Sequence, residues 1–331
     1  MPKPFPSVSV FFPAYNDAGT IASLAILAHM TVRNYTDDYE VIVSDNHSTD
    51  ETAAVLETFA GHPKLRVVKP PSFLGVVEHF KWAVAQSTSE YFSYLCSDDG
   101  LLPDFLKEQV ALLDRHPNVA FSHTAAEMID GDGRVMYLEK SIRPTGVTPG
   151  REAIKRFIQN PFGVGDSVLF RRAKFDQVGG FGDLYALDWE IGLRLCTVGD
   201  LGYNQNVLMQ YRFWEGAERT VPNQLRFMAS VNQLYDTYEP RFPEYRRLFR
   251  RARLVKALGT IDTLGGMNDA QRAEALGHIR HLCTHPLVEA KIKAFELGLG
   301  PLFVKASALR LEGKRKLKAL LWPLLAPTGR G

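Results

Sequence analysis

The stretch from Glu90 to Gly100 restricts most strongly what this chain can fold into. It reads Glu-Tyr-Phe-Ser-Tyr-Leu-Cys-Ser-Asp-Asp-Gly, so an aromatic, apolar run of strand length ends on two adjacent carboxylates, Asp98 and Asp99. Two neighbouring carboxylates repel each other, and a hard divalent cation with oxygen ligands is their natural partner. The alternative is an ordinary turn in which Asp98 or Asp99 caps the next helix.

Three further strand-like runs precede this stretch, and helical patterns alternate with them: Ser7–Phe12, Tyr39–Ser44 and Leu65–Val68. This alternation predicts an α/β domain with a mostly parallel sheet and helices on both faces. Polar clusters follow three of the four strands, at 13–17, 45–50 and 97–99. Because parallel strands end at the same edge of a sheet, we expect these clusters to lie close together.

The character of the chain changes beyond about Glu218, where long helical patterns replace strand-like runs. We therefore expect one domain at 1–217 and a helical C-terminal region at 218–331. The final stretch, Ala306–Leu325, mixes leucines and Trp322 with five Lys and Arg residues. Such a helix either lies in a membrane interface or packs its leucines on the domain or on a second chain, as in a homodimer.

Bulk composition is that of a globular protein: 331 residues, 45% hydrophobic, 23% charged, with a net charge of +2. That charge gives no reason to expect a nucleic-acid partner. The three cysteines are widely separated, which predicts a reduced, cytoplasmic protein without a structural zinc site. No apolar run approaches the length that spans a bilayer, and the N-terminus does not resemble a signal peptide.

A second acidic motif, Asp188-Trp189-Glu190, begins a predicted helix at 186–195. A diphosphate leaving group bound to a metal, together with a separate carboxylate base, describes transfer of a group from an activated donor to a hydroxyl. Simpler interpretations exist: Asp188 stabilises the helix dipole, Glu190 pairs with Arg194, and Trp189 is a core residue. His47 and His79 are expected in a loop and on a helix surface.

Taken together, these motifs resemble the family 2 glycosyltransferases of GT-A fold, a Rossmann-like α/β architecture, over residues 7–215. The matching segments occur in the family's order: Pro13-Ala14-Tyr15-Asn16, Asp45–Asp50, Ser97-Asp98-Asp99, Gly179-Gly180-Phe181 and Asp188-Trp189-Glu190. Each is weak alone, but the five in order are specific.

The resemblance implies an inverting transfer from a nucleotide-diphosphate sugar to a glycan or lipid-linked saccharide. Asp99 would ligate Mn²⁺ or Mg²⁺, and Asp188, or Glu190 as second choice, would deprotonate the acceptor hydroxyl. The donor would contact the following residues: Pro13, Ala14, Tyr15, Asp17, Asp45, Ser97 and Asp98. The family also suggests bacterial surface polysaccharide synthesis at the inner face of the cell membrane, with peripheral contact through the C-terminal tail.

Three positions depart from the family's pattern. Gly100 stands where many relatives carry a third acid, Trp214 replaces a histidine, and Asn46 replaces the second acid after the second strand. The first two changes predict lighter metal coordination, whereas the third leaves Asp45 available.

Other enzyme classes fit less well. A dinucleotide-dependent oxidoreductase needs Gly-x-Gly-x-x-Gly after the first strand, and a sugar nucleotidyltransferase a Gly-rich basic loop there. Residues 13–19 supply neither. A receiver domain leaves the Asp188 motif unexplained. A catalytically silent module that binds nucleotide-sugar is the non-enzymatic alternative.

Overall fold

The computed structural model describes residues 8–22, 28, 31–32, 35, 37–140, 144–159, 167–212, 220–300, 302, 305, 309 and 313. The chain divides into two compact units, Met1–Phe157 with Pro161–Trp214 and Ile158–Asn160 with Glu215–Gly331. Trp214 and nearly all of the predicted tail lie outside the described residues, as does most of the helix predicted at 20–29.

The first unit is built on one ten-stranded sheet. Its strands are β1 Val8–Ala14, β2 Tyr39–Asp45, β3 Leu65–Val68, β4 Tyr91–Tyr94, β5 Gly100–Leu101, β6 Val119–Ile129, β7 Val135–Glu139, β8 Gly146–Thr148, β9 Val168–Arg171 and β10 Asp200–Arg212. The principal order is β3-β2-β1-β4-β9-β6-β10-β5, with β7 on β6 and β8 on β10. The α/β prediction is confirmed, although the short β5 and β8 were not predicted.

Parallel pairing brings the predicted strand ends together. Strand β1 pairs with β2 in a register that places Ala14 opposite Asp45, and with β4 in a register that places Phe11 opposite Tyr94. The remaining strands extend the sheet in mixed orientation, since β9 runs antiparallel to both β4 and β6. The loops after β1, β2 and β4 therefore leave the same edge of the sheet.

Within the stretches of the first unit that are described without a break, six helices accompany the sheet: α1 Thr52–Glu57, α2 Val76–Val84, α3 Phe105–Arg115, α4 Gly150–Gln159, α5 Arg172–Gln177 and α6 Leu187–Leu195. They form where apolar residues recur at helical spacing; in α3 this stripe buries Phe105, Leu106, Val110 and Leu113. Trp189 of α6 is fully buried, and its indole N–H donates to the Phe157 carbonyl at 2.5 Å. The core interpretation of Trp189 is confirmed.

The Asp130–Gly133 sequence forms the turn that joins β6 to β7. Asp130 accepts main-chain hydrogen bonds from Asp132 and Arg134 through its carboxylate, at 3.0 and 2.9 Å, and Gly133 has a φ of 83°. A left-handed φ favours glycine at that position. The Asp130 carboxylate is therefore used by the turn itself.

The second unit is helical in its described part, with α7 Val221–Tyr238, α8 Arg246–Ile261, α9 Asp269–Leu282 and α10 Pro286–Ala294. Short 3₁₀ segments lie at Glu239–Arg241, Pro243–Tyr245 and Leu264–Gly266, and a π-helical turn spans Phe295–Leu299. The prediction of a helical C-terminal region is confirmed in this described part. Among the described residues, no helix has the length and apolar character needed to cross a bilayer.

Two of the described histidines of the first unit are buried. His79 lies under β2 with its Nε2 2.7 Å from the Ser44 hydroxyl, and His123 lies on β6 beside the Tyr203 ring. Burial lowers the pKa of each to about 4. The expectation that His79 occupies a helix surface is wrong, because its position on α2 faces the sheet.

These histidines predict a stability that falls with acidity. The unfolded chain, with ordinary histidine pKa values near 6.5, takes up protons before the folded chain does as the pH drops toward about 4. Each buried, neutral histidine therefore contributes stability that is fully present above about pH 6.5, and on the order of 3 kcal/mol of it is lost by about pH 4. Urea unfolding at about pH 7 and pH 5 should show the loss, and His123→Gln should reduce it. His116→Gln, at an exposed position, is the control; equal losses in both variants would contradict this account.

Candidate active site at the strand ends

The loop after β1 takes its shape from the loop after β2. The Asn16 N–H donates to the Ser48 hydroxyl at 3.0 Å, and the Thr49 N–H donates to the Asn16 side-chain oxygen at 2.8 Å. The Asp17 N–H donates to the Thr52 hydroxyl at 2.8 Å. Asn16 has a φ of 58°, a conformation that asparagine tolerates better than most residues. The two predicted motifs thus form one hydrogen-bonded structure.

Asp45, the last residue of β2, is buried and ionised. Its Oδ1 accepts the Ser48 N–H at 2.9 Å, and its Oδ2 lies 3.3 Å from the Lys69 ammonium. Burial acts to raise the pKa of Asp45, but the Ser48 hydrogen bonds and the Lys69 charge outweigh it, and the pKa is lowered. The pair therefore presents a carboxylate acceptor beside an ammonium donor whose side chain is 49% exposed. Lys69 was not predicted as a site residue.

The hydrogen bonds of the Asn46 side chain account for the presence of an asparagine, instead of an acid, at this position. Its amide nitrogen donates to the Leu74 carbonyl at 2.8 Å, and its amide oxygen accepts the Leu74 N–H at 2.9 Å. A carboxylate cannot make the first of these bonds. His47, at a φ of 61°, contacts the Pro70 carbonyl through Nε2 at 2.9 Å. Residues 70–74 are therefore held at both ends by the β2 loop.

This held segment displays an aromatic side chain beside the β1 loop. Phe73 is 59% exposed, Tyr15 is 46% exposed, and their rings meet edge to face with centroids 5.3 Å apart. Tyr15 was predicted as a binding residue, whereas Phe73 was missed. The only sequence signal for Phe73 is a large aromatic in a loop, which carries little information without its neighbours.

The loop after β4 joins the same edge through Asp17. The Ser97 side chain hydrogen-bonds the Asp17 carboxylate. Burial raises the pKa of Asp17, the Ser97 and Tyr15 hydrogen bonds oppose this, and the charges of Asp98 and Asp50 add to it. Three predicted residues, Asp17, Ser97 and Asp98, are thus brought together by the fold.

Asp99 is buried and is fixed by the end of β10. Its Oδ1 accepts the main-chain N–H of Arg212 at 2.8 Å, and the Arg212 Nε donates to the Asp98 carbonyl at 3.0 Å. The same guanidinium donates to the carbonyls of Asp130 and Gly131, each at 3.0 Å. Arg212 therefore connects the acidic pair to the β6–β7 turn, a role that sequence reasoning did not assign.

The donor set at this edge suits a metal that arrives with its substrate. Asp98 and Asp99 supply carboxylate oxygens, which Mg²⁺ and Mn²⁺ prefer. Across the described ranges, no group of three or more His, Cys, Asp or Glu side chains is placed to hold a metal ion. Mg²⁺ commonly binds through one or two carboxylates, with substrate phosphates and water in the other positions. The residues present fit that arrangement.

The two carboxylates of the second acidic motif, on α6, differ in their exposure to solvent. Asp188 is exposed at the first turn, whereas Glu190 is 7% exposed. Glu190 lies directly against Gly182, where an added Cβ would sit 2.1 Å from the carboxylate oxygen Oε2. Any larger residue at Gly182 would displace Glu190.

The glycine turn before α6 is held by Arg194 and by aromatic packing. Gly179 and Gly180 have φ values of 80° and 70°, and Arg194 donates to the carbonyls of Val178 and Gly180. The Phe181 ring lies 6.1 Å from that of Tyr94, the last residue of β4. The turn that precedes Asp188 is therefore anchored on the strand that carries the Asp98–Asp99 pair.

Comparison with known proteins identifies the family. The sequence profile of Glycosyl transferase family 2 matches residues 9–179, slightly more than half of the chain. The chain belongs to glycosyl transferase family 2. The predicted resemblance to this family is confirmed, with a match to residues 9–179 of the predicted span 7–215.

Relatives of this family-2 chain are distant. An uncharacterised protein of Mycobacterium tuberculosis is 27% identical over 182 residues, which cover 52% of this chain and 49% of the relative. The chain thus spans about half the length of that relative.

Solved structures share the fold of this family-2 chain. TarS of S. aureus (residues 1–349) in complex with UDP-GlcNAc has a TM-score of 0.64 and 18% identity, over 95% of this chain and 90% of TarS. The mannosyltransferase PcManGT of Pyrobaculum calidifontis, in complex with GDP-Man and Mn²⁺, has a TM-score of 0.57 and 17% identity, over 96% and 88%. The GT-A prediction is confirmed.

Substitution of Asn46 tests whether its two hydrogen bonds with Leu74 stabilise this edge of the sheet in a family-2 chain. Asn46→Asp removes the donor to the Leu74 carbonyl and places a second negative charge, at a buried position, beside Asp45. We expect a loss of about 2–3 kcal/mol in the free energy of unfolding at neutral pH, measured by urea denaturation. Gln177→Glu makes the same chemical change at an exposed position and should stay within about 0.5 kcal/mol of wild type. Equal effects of the two substitutions would show that the Asn46–Leu74 hydrogen bonds do not stabilise the fold.

Proposed function

We propose that this chain transfers a sugar from a nucleotide-diphosphate sugar to an acceptor hydroxyl, with inversion at the anomeric carbon. The observation that carries the proposal is the convergence of three strand-end loops, which follows from the parallel register of β1 with β2 and β4 and from the hydrogen bonds of Asn16 with Ser48 and Thr49. Such an edge is where open α/β sheets bind nucleotides. Family membership and the ligands named for TarS and PcManGT support the same assignment.

On the donor side, the β1 and β2 loops are proposed to bind the nucleoside. Pro13, Ala14 and Tyr15 would line the base and ribose with Asp17, and Asp45 would hydrogen-bond the base. The Asp45–Lys69 pair offers an acceptor beside a donor, which complements a base edge with adjacent N–H and C=O groups. Uracil, thymine and guanine present such an edge, whereas cytosine and adenine do not.

The β4 loop is proposed to bind the diphosphate and the sugar. Asp98, with Ser97 beside it, would contact the ribose or the donor sugar, and Asp99 would ligate Mn²⁺ or Mg²⁺. When bound, the ion neutralises the charge that develops on the diphosphate leaving group. Arg212 keeps the acidic pair in position through the bonds to Asp99 and to the Asp98 carbonyl.

Asp188 is proposed as the base that removes the proton from the acceptor hydroxyl. Its exposed position leaves it open to an acceptor, while the buried Glu190 is the second choice. The hydroxyl oxygen attacks the anomeric carbon as the bond to the diphosphate breaks, and the proton passes to the carboxylate. A single displacement inverts the anomeric centre and needs one base.

The biological role is proposed more broadly. Residues 1–217 would form the catalytic domain, and residues 218–331 a helical region that ends in a basic tail. The acceptor would be a glycan or a lipid-linked saccharide in bacterial surface polysaccharide synthesis, with the protein in the cytoplasm at the membrane. The tail would contact the bilayer or a second copy.

Nucleotide binding tests the donor site. Calorimetric titration with UDP, dTDP, GDP and CDP should reveal affinity for at least one of the first three that exceeds that for CDP by about tenfold or more. Mn²⁺ should strengthen binding, and Asp99→Asn should abolish that metal-dependent gain while leaving metal-free binding intact. Asp104→Asn, at an exposed acid nearby in sequence, should match wild type. Absence of binding to all four nucleotides would overturn the proposal.

Substitution of Asp188 tests the base. With nucleotide-sugars and a panel of oligosaccharide and lipid-linked acceptors, Asp188→Asn should lower kcat by about 10²–10⁴-fold with unchanged nucleotide affinity. Asp183→Asn, at an exposed acid five residues away, should retain full turnover. If Glu190→Gln is inactive and Asp188→Asn is active, the two assignments are reversed. Nucleotide binding without transfer by the wild type would indicate the catalytically silent module.

A further inference from the structure

The net charge of the chain is small, but positive and negative residues are unevenly distributed along it. Residues 218–331 contain twenty Lys and Arg against ten Asp and Glu, a net charge of +10. Residues 1–217 carry a net charge of −8. Charge of one sign gathered in one unit attracts partners of the opposite sign. The described helices of the second unit show where part of that positive charge is presented.

Helix α8 presents four arginines to solvent: Arg246, Arg247, Arg250 and Arg251, here called the arginine face. The spacings 246/250 and 247/251 place them on one side of the helix. None of the four has an ion pair with any residue in the described part of the chain. Arg253 on the same helix behaves differently, because it is largely buried and pairs with Asp236 and Glu239 at 2.8 and 3.0 Å.

Aliphatic side chains continue this side of α8 toward its C-terminus. Leu254, Val255 and Leu258 follow Arg247 and Arg251 at helical spacing, and Val255 is 60% exposed. Among the described residues further along the same unit, four leucines are also exposed by more than half: Leu287, Leu297, Leu302 and Leu309. A cationic helix face that runs into exposed aliphatic residues can gain from an anionic surface and from an apolar layer below it.

We propose that the arginine face of α8 binds the surface of an anionic phospholipid bilayer. Guanidinium groups form bidentate hydrogen bonds with phosphate, and each cation near a negatively charged leaflet adds to the attraction. Val255 and its neighbours favour a bilayer over a soluble polyanion, because a polyanion offers no apolar layer to receive them. The site consists of described residues of α8 and does not depend on the basic tail or on the proposed catalytic function.

Vesicle flotation of the full chain tests this inference. Binding to vesicles of phosphatidylcholine with about 30 mol% phosphatidylglycerol should exceed binding to phosphatidylcholine alone by about tenfold or more at about 0.1 M salt. Replacement of all four arginines of the face by glutamine should lower that binding by about tenfold or more. Val255→Ser should weaken it further at high salt, where the apolar contribution remains.

The matched control removes the same charge from the tail, by glutamine at Lys314, Arg315, Lys316 and Lys318. Binding retained by the tail variant and lost by the arginine-face variant supports the proposal. Equal losses in the two variants would assign binding to net charge, and loss in the tail variant alone would assign it to the tail; either result overturns the proposal. Retention on heparin without binding to vesicles would also overturn it, in favour of an anionic polymer. Nucleotide titration and circular dichroism of each variant verify folding.

Discussion

The parallel register of β1 with β2 and β4 is the constraint on which the candidate site depends. Because Ala14 lies opposite Asp45 and Phe11 opposite Tyr94, three loops leave the sheet at one edge. The hydrogen bonds between these loops then fix their shapes, as the Asn16 bonds to Ser48 and Thr49 show. A slip of one residue in either pairing would turn the strand faces over and separate the loops.

Concentrating acids at one edge costs stability, and the fold offsets that cost differently for each carboxylate. Asp45 has the Lys69 ammonium and the Ser48 N–H, and Asp99 has the Arg212 N–H. Asp17 accepts the Tyr15 N–H at 2.9 Å and a hydrogen bond from Ser97, but burial and nearby negative charge outweigh them, and its pKa is raised. The edge therefore retains an excess of negative charge that a cation would relieve.

The sequence predicted those parts of the fold that depend on local patterns. Strand and helix periodicity places the motifs at strand ends, and the parallel arrangement brings them together. Local periodicity does not show which residues far apart in the sequence form hydrogen bonds with each other. Asn46 and Leu74 are 28 positions apart, and Arg212 and Asp99 are 113 positions apart. The first pair meets through the Asn46 side-chain amide and the second through the main-chain N–H of Arg212. Neither group has a distinctive local sequence pattern, so neither contact could be predicted without coordinates.

The two acids of α6 lie close together in the sequence but in different environments, since Asp188 is exposed and Glu190 is buried. Asp188 and Glu190 lie two positions apart, so a helix turns them to different sides. One side meets Gly182, where the lack of a side chain leaves room for the Glu190 carboxylate. The other side faces solvent, where the Asp188 side chain is exposed. The absence of a side chain at Gly182 therefore lets Glu190 pack inward while Asp188, two positions earlier, stays at the surface.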